Sequence, residues 1–238
     1  MGCAEMIGYA LGGTAAVAEQ KARLENMKKG KTEEQKNVID FFMNLYAGCG
    51  CGVGSRGAKM TMNQYQQIVS NKLYSLNLKQ RAMDKIGLDE SEINEIPPIV
   101  LSGYDFDSND VLVRVIDDVA VSSRFSVSWI FFSATQLYAY TYTFETISDN
   151  TWEQTQDFFY QDITSFTTLQ KVVEKIDITS TGCIKKGENI MKNNYIVDSL
   201  KIIVPGNSFS FSMRNNESLE QSIQAAKAML RERKFAKY

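Results

Sequence analysis

The sequence predicts an α+β protein. A helical region over residues 1–97 precedes a curved antiparallel barrel or sandwich over residues 98–238, capped by a C-terminal helix. Three observations predict it. Before Pro97-Pro98, apolar residues recur at helical spacing. After that pair they alternate at period two, as in half-buried strands. From Asn216 the helical spacing returns for one last segment.

Residues 3–29 read as a helix with a small-residue apolar face, including Ala10, Leu11, Ala15 and Ala18. Gly30 follows Lys28-Lys29 as its C′ residue, where a left-handed backbone suits glycine. Thr32-Glu33-Glu34-Gln35 has the form of a capping box and opens a second helix to about Ala47. Val38, Ile39, Phe41, Phe42, Leu45 and Tyr46 form its stripe.

Residues 48–57 hold five of the fifteen glycines, with Cys49 and Cys51 among them. Gly52, Gly54 and Gly57 match G-x-G-x-x-G, which can let a pyrophosphate approach a helix N-terminus. A nucleotide site needs a strand before that motif, and a helix stands there instead. A Gly/Cys-rich connector is the preferred reading.

Thr61-Met62-Asn63-Gln64 starts a third helix to about Lys79, with a shorter helical stretch near 80–86 that Gly87 closes. Strands are predicted at Ile99–Phe106, Val111–Val115, Arg124–Phe132, Gln136–Thr146, Trp152–Tyr160, Ile163–Thr168, Val172–Ile178, Tyr195–Val204 and Ser208–Met213. Tyr138, Tyr140, Tyr142 and Phe144 share one strand face, and such an aromatic ladder suggests a face covered by a helix. Ser148-Asp149-Asn150 and Pro205-Gly206-Asn207 mark hairpin turns. Asn216 starts the last helix, with Leu219, Ile223, Ala226, Met229 and Leu230 as its stripe.

Residues 158–165, Phe-Phe-Tyr-Gln-Asp-Ile-Thr-Ser, together with Lys201–Phe209 and the helix from Ser222 to Arg233, resemble the bacterial pleckstrin-homology-like (PH-like) domain family. The resemblance covers about residues 98–235. It implies a small curved barrel plugged by a helix, with Tyr160 entering the core. It also implies a binding or scaffold role, since a fold of this kind does not by itself assign chemistry.

Composition narrows the function. The chain has 238 residues and no histidine, so Ser-His-Asp sets, Cys-His dyads and imidazole metal ligands are excluded. The net charge of −2 is uneven: residues 1–96 carry +1, 97–180 carry −8 and 181–238 carry +5. A sheet segment that acidic repels phosphate backbones, so no nucleic-acid partner is expected. Between 97 and 124 only Arg114 and Arg124 face Asp105, Asp107, Asp110, Asp117 and Asp118, so no phosphoinositide binding is expected.

Asp105, Asp107 and Asp110 lack the glycine and distal glutamate of an EF-hand loop and read as a polar turn. Cys3, Cys49, Cys51 and Cys183 show no metal spacing and suit free thiols. No catalytic residue, cofactor or metal is therefore assigned.

No basic segment of a secretory signal opens the chain, and a cytoplasmic location is expected. Met1-Gly2-Cys3 has the start of an acylation motif but Met6 where Ser or Thr is wanted. The expected function is a non-enzymatic binding or scaffold protein, working through a protein partner or self-association. The helix 3–29 is the candidate contact. The alternatives are peripheral membrane association through that helix and nucleotide binding through the 52–57 loop.

Overall fold

The computed structural model describes residues 22–43, 60–89, 97–107, 110–116, 119–181, 187–214 and 216–235; of 175–181, 187–193 and 234–235 the backbone alone is described. The part of the first predicted helix that falls within it, 22–28, is helical and ends at Gly30, whose φ is +74°.

Three helices follow: α1 (Glu33–Met43), α2 (Met62–Tyr74) and α3 (Leu78–Ile86). Both predicted capping boxes form. The Gln35 amide donates to Thr32 Oγ1 at 3.2 Å, and Gln35 Oε1 accepts from the Thr32 amide at 3.1 Å. Thr61 and Gln64 repeat the exchange at 3.2 and 2.8 Å. Each box satisfies two N–H groups that a helix start leaves orphaned. Gly87, at φ +76°, closes α3.

Nine strands form two sheets and a separate hairpin, all antiparallel. β1 (Ile99–Tyr104), β4 (Arg124–Phe132), β5 (Gln136–Glu145) and β6 (Thr151–Phe159) make a four-stranded sheet in the order β1-β4-β5-β6. β2 (Val113–Ile116) and β3 (Val119–Ser122) make the hairpin. β7 (Ser165–Thr181), β8 (Gly187–Val204) and β9 (Asn207–Met213) make a three-stranded sheet in that order. Pro205-Gly206 joins β8 to β9, with Gly206 at φ +81°. That is a type II arrangement, with proline pre-set at the first turn position and glycine taking the positive φ. The last helix, α4 (Glu217–Phe235), starts with the Leu219 amide donating to Asn216 Oδ1 at 2.9 Å.

The four-stranded sheet is the middle layer. Phe125, Val127, Phe131, Tyr140, Tyr142 and Phe144 face α1–α3 and share a buried core with Val38, Phe41, Phe42, Tyr65 and Val69. Ile99, Leu101, Ile130, Phe132, Leu137 and Ala139 face the other way. They meet Leu200, Ile202, Phe211 and Met213 of the second sheet and Ile223, Ala226 and Leu230 of α4. Both faces are thus covered, and β4 is buried along nearly its whole length. Its Ser126 and Ser128 satisfy their hydroxyls against Thr143 and Thr141 at 2.8 and 2.9 Å.

The two sheets meet where β1 crosses β9. A Cβ on Gly103 would stand 2.9 Å from the Met213 backbone nitrogen, and the Arg214 amide donates to the Ser102 carbonyl at 2.9 Å. Only glycine permits that approach.

Four expectations are corrected. The barrel does not close among the described residues; the sheets stay open. The separate strands 163–168 and 172–178 are one strand, Ser165–Thr181, because Leu169, Gln170 and Lys171 between them pair with β8 without interruption. β8 starts at Gly187, eight residues before the predicted Tyr195, because residues 187–194 pair rung by rung with 174–181 of β7, a non-local ladder that alternation along one segment does not report. Residues 160–162 form a 3-10 turn between β6 and β7, and the short strand β3 carries no signal beyond Val-Ala-Val. Tyr160 is buried nonetheless and donates its hydroxyl to the Ser133 carbonyl at 2.7 Å.

Candidate functional site

Several polar clusters and surfaces can be weighed. The first is a buried polar cluster at the end of the β4–β5 ladder. Arg124 Nη2 donates to Glu145 Oε1 at 2.7 Å and to Asp110 Oδ2 at 2.9 Å, and Asp105 Oδ2 lies 3.9 Å from Nη1. The Trp152 ring lies 4.7 Å from the guanidinium. Ser148 Oγ at 2.5 Å and Asn150 Nδ2 at 3.2 Å donate to the other Glu145 oxygen. Burial lowers the Arg124 pKa, but the Glu145 hydrogen bond and the Asp110 charge outweigh it and the net shift is upward.

Both carboxylate oxygens of Glu145 are thus engaged, which ties the end of β4 to the turn at 148–150. Asp105 and Asp110 of the acidic turn both lie near Arg124, and Asp105 Oδ1 accepts the Asp107 amide at 3.0 Å. Among the described residues, no group of three or more His, Cys, Asp or Glu could hold a metal ion.

The predicted aromatic ladder is covered by helices. Lys72 Nζ lies 4.8 Å from the Phe144 centroid and donates to the Glu145 carbonyl at 3.1 Å; burial lowers its pKa. Arg81 lies 5.3 Å from the Tyr142 centroid and pairs with Glu153. Tyr140 is fully buried, and burial first, then the Glu153 charge, push its hydroxyl up to about 12. The face is therefore closed to bases or sugars. Cys3, Cys49, Cys51, Cys183, the 52–57 glycine loop, Asp117-Asp118 and most of the segment 3–29 lie outside the described residues.

The other candidates are surfaces. β7 and β8 have 17 and 18 residues against 9 or 10 for β4, β5 and β6, so they run roughly 55–60 Å, about twice as far. β9 supports β8 only as far as the pair Asp198↔Met213. Beyond it, β7 and β8 continue as a two-stranded ribbon. One face is anchored at its root, where the Tyr195 ring meets Phe106 at 5.0 Å. The other presents Val172 and Ile196, directly paired and 64% and 57% exposed. No described strand pairs with the outer edge of β7.

A groove of about 390 Å³ lies between the start of β7 and α4, lined by residues that include Tyr160, Ile163, Ser165, Thr167, Lys227 and Arg231. A second, of about 460 Å³, lies between α1 and α2; Glu34 is its one charged lining residue.

No protein family matches the chain, and no curated protein or solved structure matches it significantly. No helix among the described residues is long and apolar enough to cross a membrane.

Proposed function

We propose that this chain is a non-enzymatic assembly module with a PH-like second half, and that it self-associates through the β7–β8 ribbon. The order of elements supports the PH-like reading: four principal strands, three more strands, then one helix. The observation that carries self-association is the exposed Val172–Ile196 pair on a ribbon with a free outer edge. A two-stranded ribbon is marginal alone, and an unpaired edge is a template for another strand. Two ribbons placed edge to edge about a two-fold axis through Val172 would extend the apolar row across four strands, Ile196 and Val172 from each copy.

Sedimentation velocity on the full chain tests this. The wild type should run heavier than a monomer at micromolar concentration, and V172E/I196E should run as a monomer with unchanged circular dichroism. A wild type that stays monomeric, or a variant of unchanged mass, would overturn it.

A further inference from the structure

We propose that the groove between β7 and α4 binds an extended acidic segment of a partner protein. The proposal deepens the reading of the chain as an interaction module: it uses the first residues of the β7 edge together with α4, where self-association is centred on Val172 further along that edge.

The groove has the three features an extended chain requires. Its floor is apolar: Tyr160, Ile163 and Leu230 are buried there, with Phe166 half-buried beside them. One wall is Ser165–Thr167, the first residues of a strand whose outer edge meets no other described strand. Such an edge can hydrogen-bond an added strand, while alternate side chains of that strand reach the floor. The other wall is cationic, with Lys227 and Arg231 one helical turn apart.

Those two cations make the groove selective. Among the described residues neither makes an ion pair, whereas Arg233, just beyond, donates to the Ala134 carbonyl at 2.5 Å and lies 5.9 Å from the Tyr160 centroid. Like charges at i and i+4 weaken a helix rather than support it. Nor does α4 relieve them: the residues three and four positions from each are Ile223, Gln224, Ala228, Leu230, Lys234, Phe235 and each other. Carboxylates laid between them would remove that repulsion.

The test is an amide-shift titration of the isotope-labelled full chain with a capped heptapeptide alternating glutamate and valine. Lysine replaces glutamate in the control peptide. Amides of 164–167 and 227–231 should shift saturably with the acidic peptide alone. K227A/R231A, two substitutions on the solvent side of α4, should lower the affinity roughly tenfold while leaving the rest of the spectrum in place.

The proposal fails if those amides stay still at millimolar peptide, if the variant binds undiminished, or if only phosphatidylserine vesicles bind the groove. K227A/R231A should leave the sedimentation coefficient of the chain unchanged, so this proposal and ribbon self-association fail by different measurements.

Discussion

Arg124 and Glu145 are register partners at the last rung of the β4–β5 ladder, and their side chains meet at 2.7 Å with each side chain only 10% exposed. A pair this buried is costly to break from one side, because the survivor keeps its charge without a counter-charge. Arg124→Ala should lower unfolding free energy by about 3–5 kcal/mol, read from the urea midpoint. The double variant R124M/E145M should recover most of that loss, since Glu145 is then no longer a buried charge without a partner, while Asp110 and Asp105 keep contact with water. A double variant as unstable as the single one would refute the pairing as the cause.

At the crossing of β1 and β9, Gly103→Ala places a methyl against the Met213 backbone at 2.9–3.1 Å. Backbone cannot swing aside as a side chain can, so the two sheets must part. The expected cost is about 1–3 kcal/mol, with the denaturant slope unchanged. G206A tests the turn independently, since there the penalty comes from φ +81° and no clash exists.

Tyr65 joins the helices to the sheet. Its ring stacks on Phe41 at 5.0 Å, and its hydroxyl donates to the Ser122 carbonyl at 2.5 Å and meets Thr146 Oγ1 at 3.2 Å. Tyr65→Phe keeps the stacking and loses the hydroxyl, so it should cost about 1–2 kcal/mol. Tyr65→Ala removes both and should cost about 3–5 kcal/mol. Helix and sheet signals should still fall in one transition, because α1–α3 and the sheet share one core.

Alkaline titration followed at 295 nm should show late-ionising tyrosines. Burial raises Tyr65 well above the ordinary value and raises Tyr104 and Tyr195 as well, while Tyr140 reaches about 12. For Tyr140 the folded state holds its proton above the unfolded value of 10. Its contribution to stability is therefore fully present below pH 10 and is lost as pH rises from 10 to 12. Integrated over that window it is about 2–3 kcal/mol. Tyr140→Phe should flatten the stability curve there; an unchanged curve would count against it.

Much of the local structure was legible in the residues. Thr32 with Gln35 and Thr61 with Gln64 mark helix starts, because the hydroxyl and amide that cap each helix lie three residues apart in sequence. Arg124–Phe132 was read with its boundaries, and Gln136–Thr146 within one residue, because strand alternation is local. Leu137 and Tyr138 point to opposite faces whatever lies beyond them.

The candidate sites were much less legible. Arg124 with Asp110 and Glu145, and Lys227 with Ser165, are separated by 14, 21 and 62 positions. No local periodicity reports such meetings. The charge count foresaw the acidic turn but not that Arg124 takes its aspartates. The +5 of the last segment foresaw a cationic helix, but not that two of its charges would border a groove.

By itself, then, the sequence missed β3, split β7 and shortened β8, but it determined most of the helices and the strands of the main sheet, two helix caps, the turns, and which side of those strands is apolar. Those are decided by hydrogen bonds and side-chain directions within a few residues. The tertiary structure alone decided which helices, α1–α3, cover the aromatic ladder, that the barrel stays open among the described residues, and that β7 and β8 outrun the sheet as a ribbon. Those depend on burial between segments distant in the chain, which competes over the whole molecule and leaves no mark at short range.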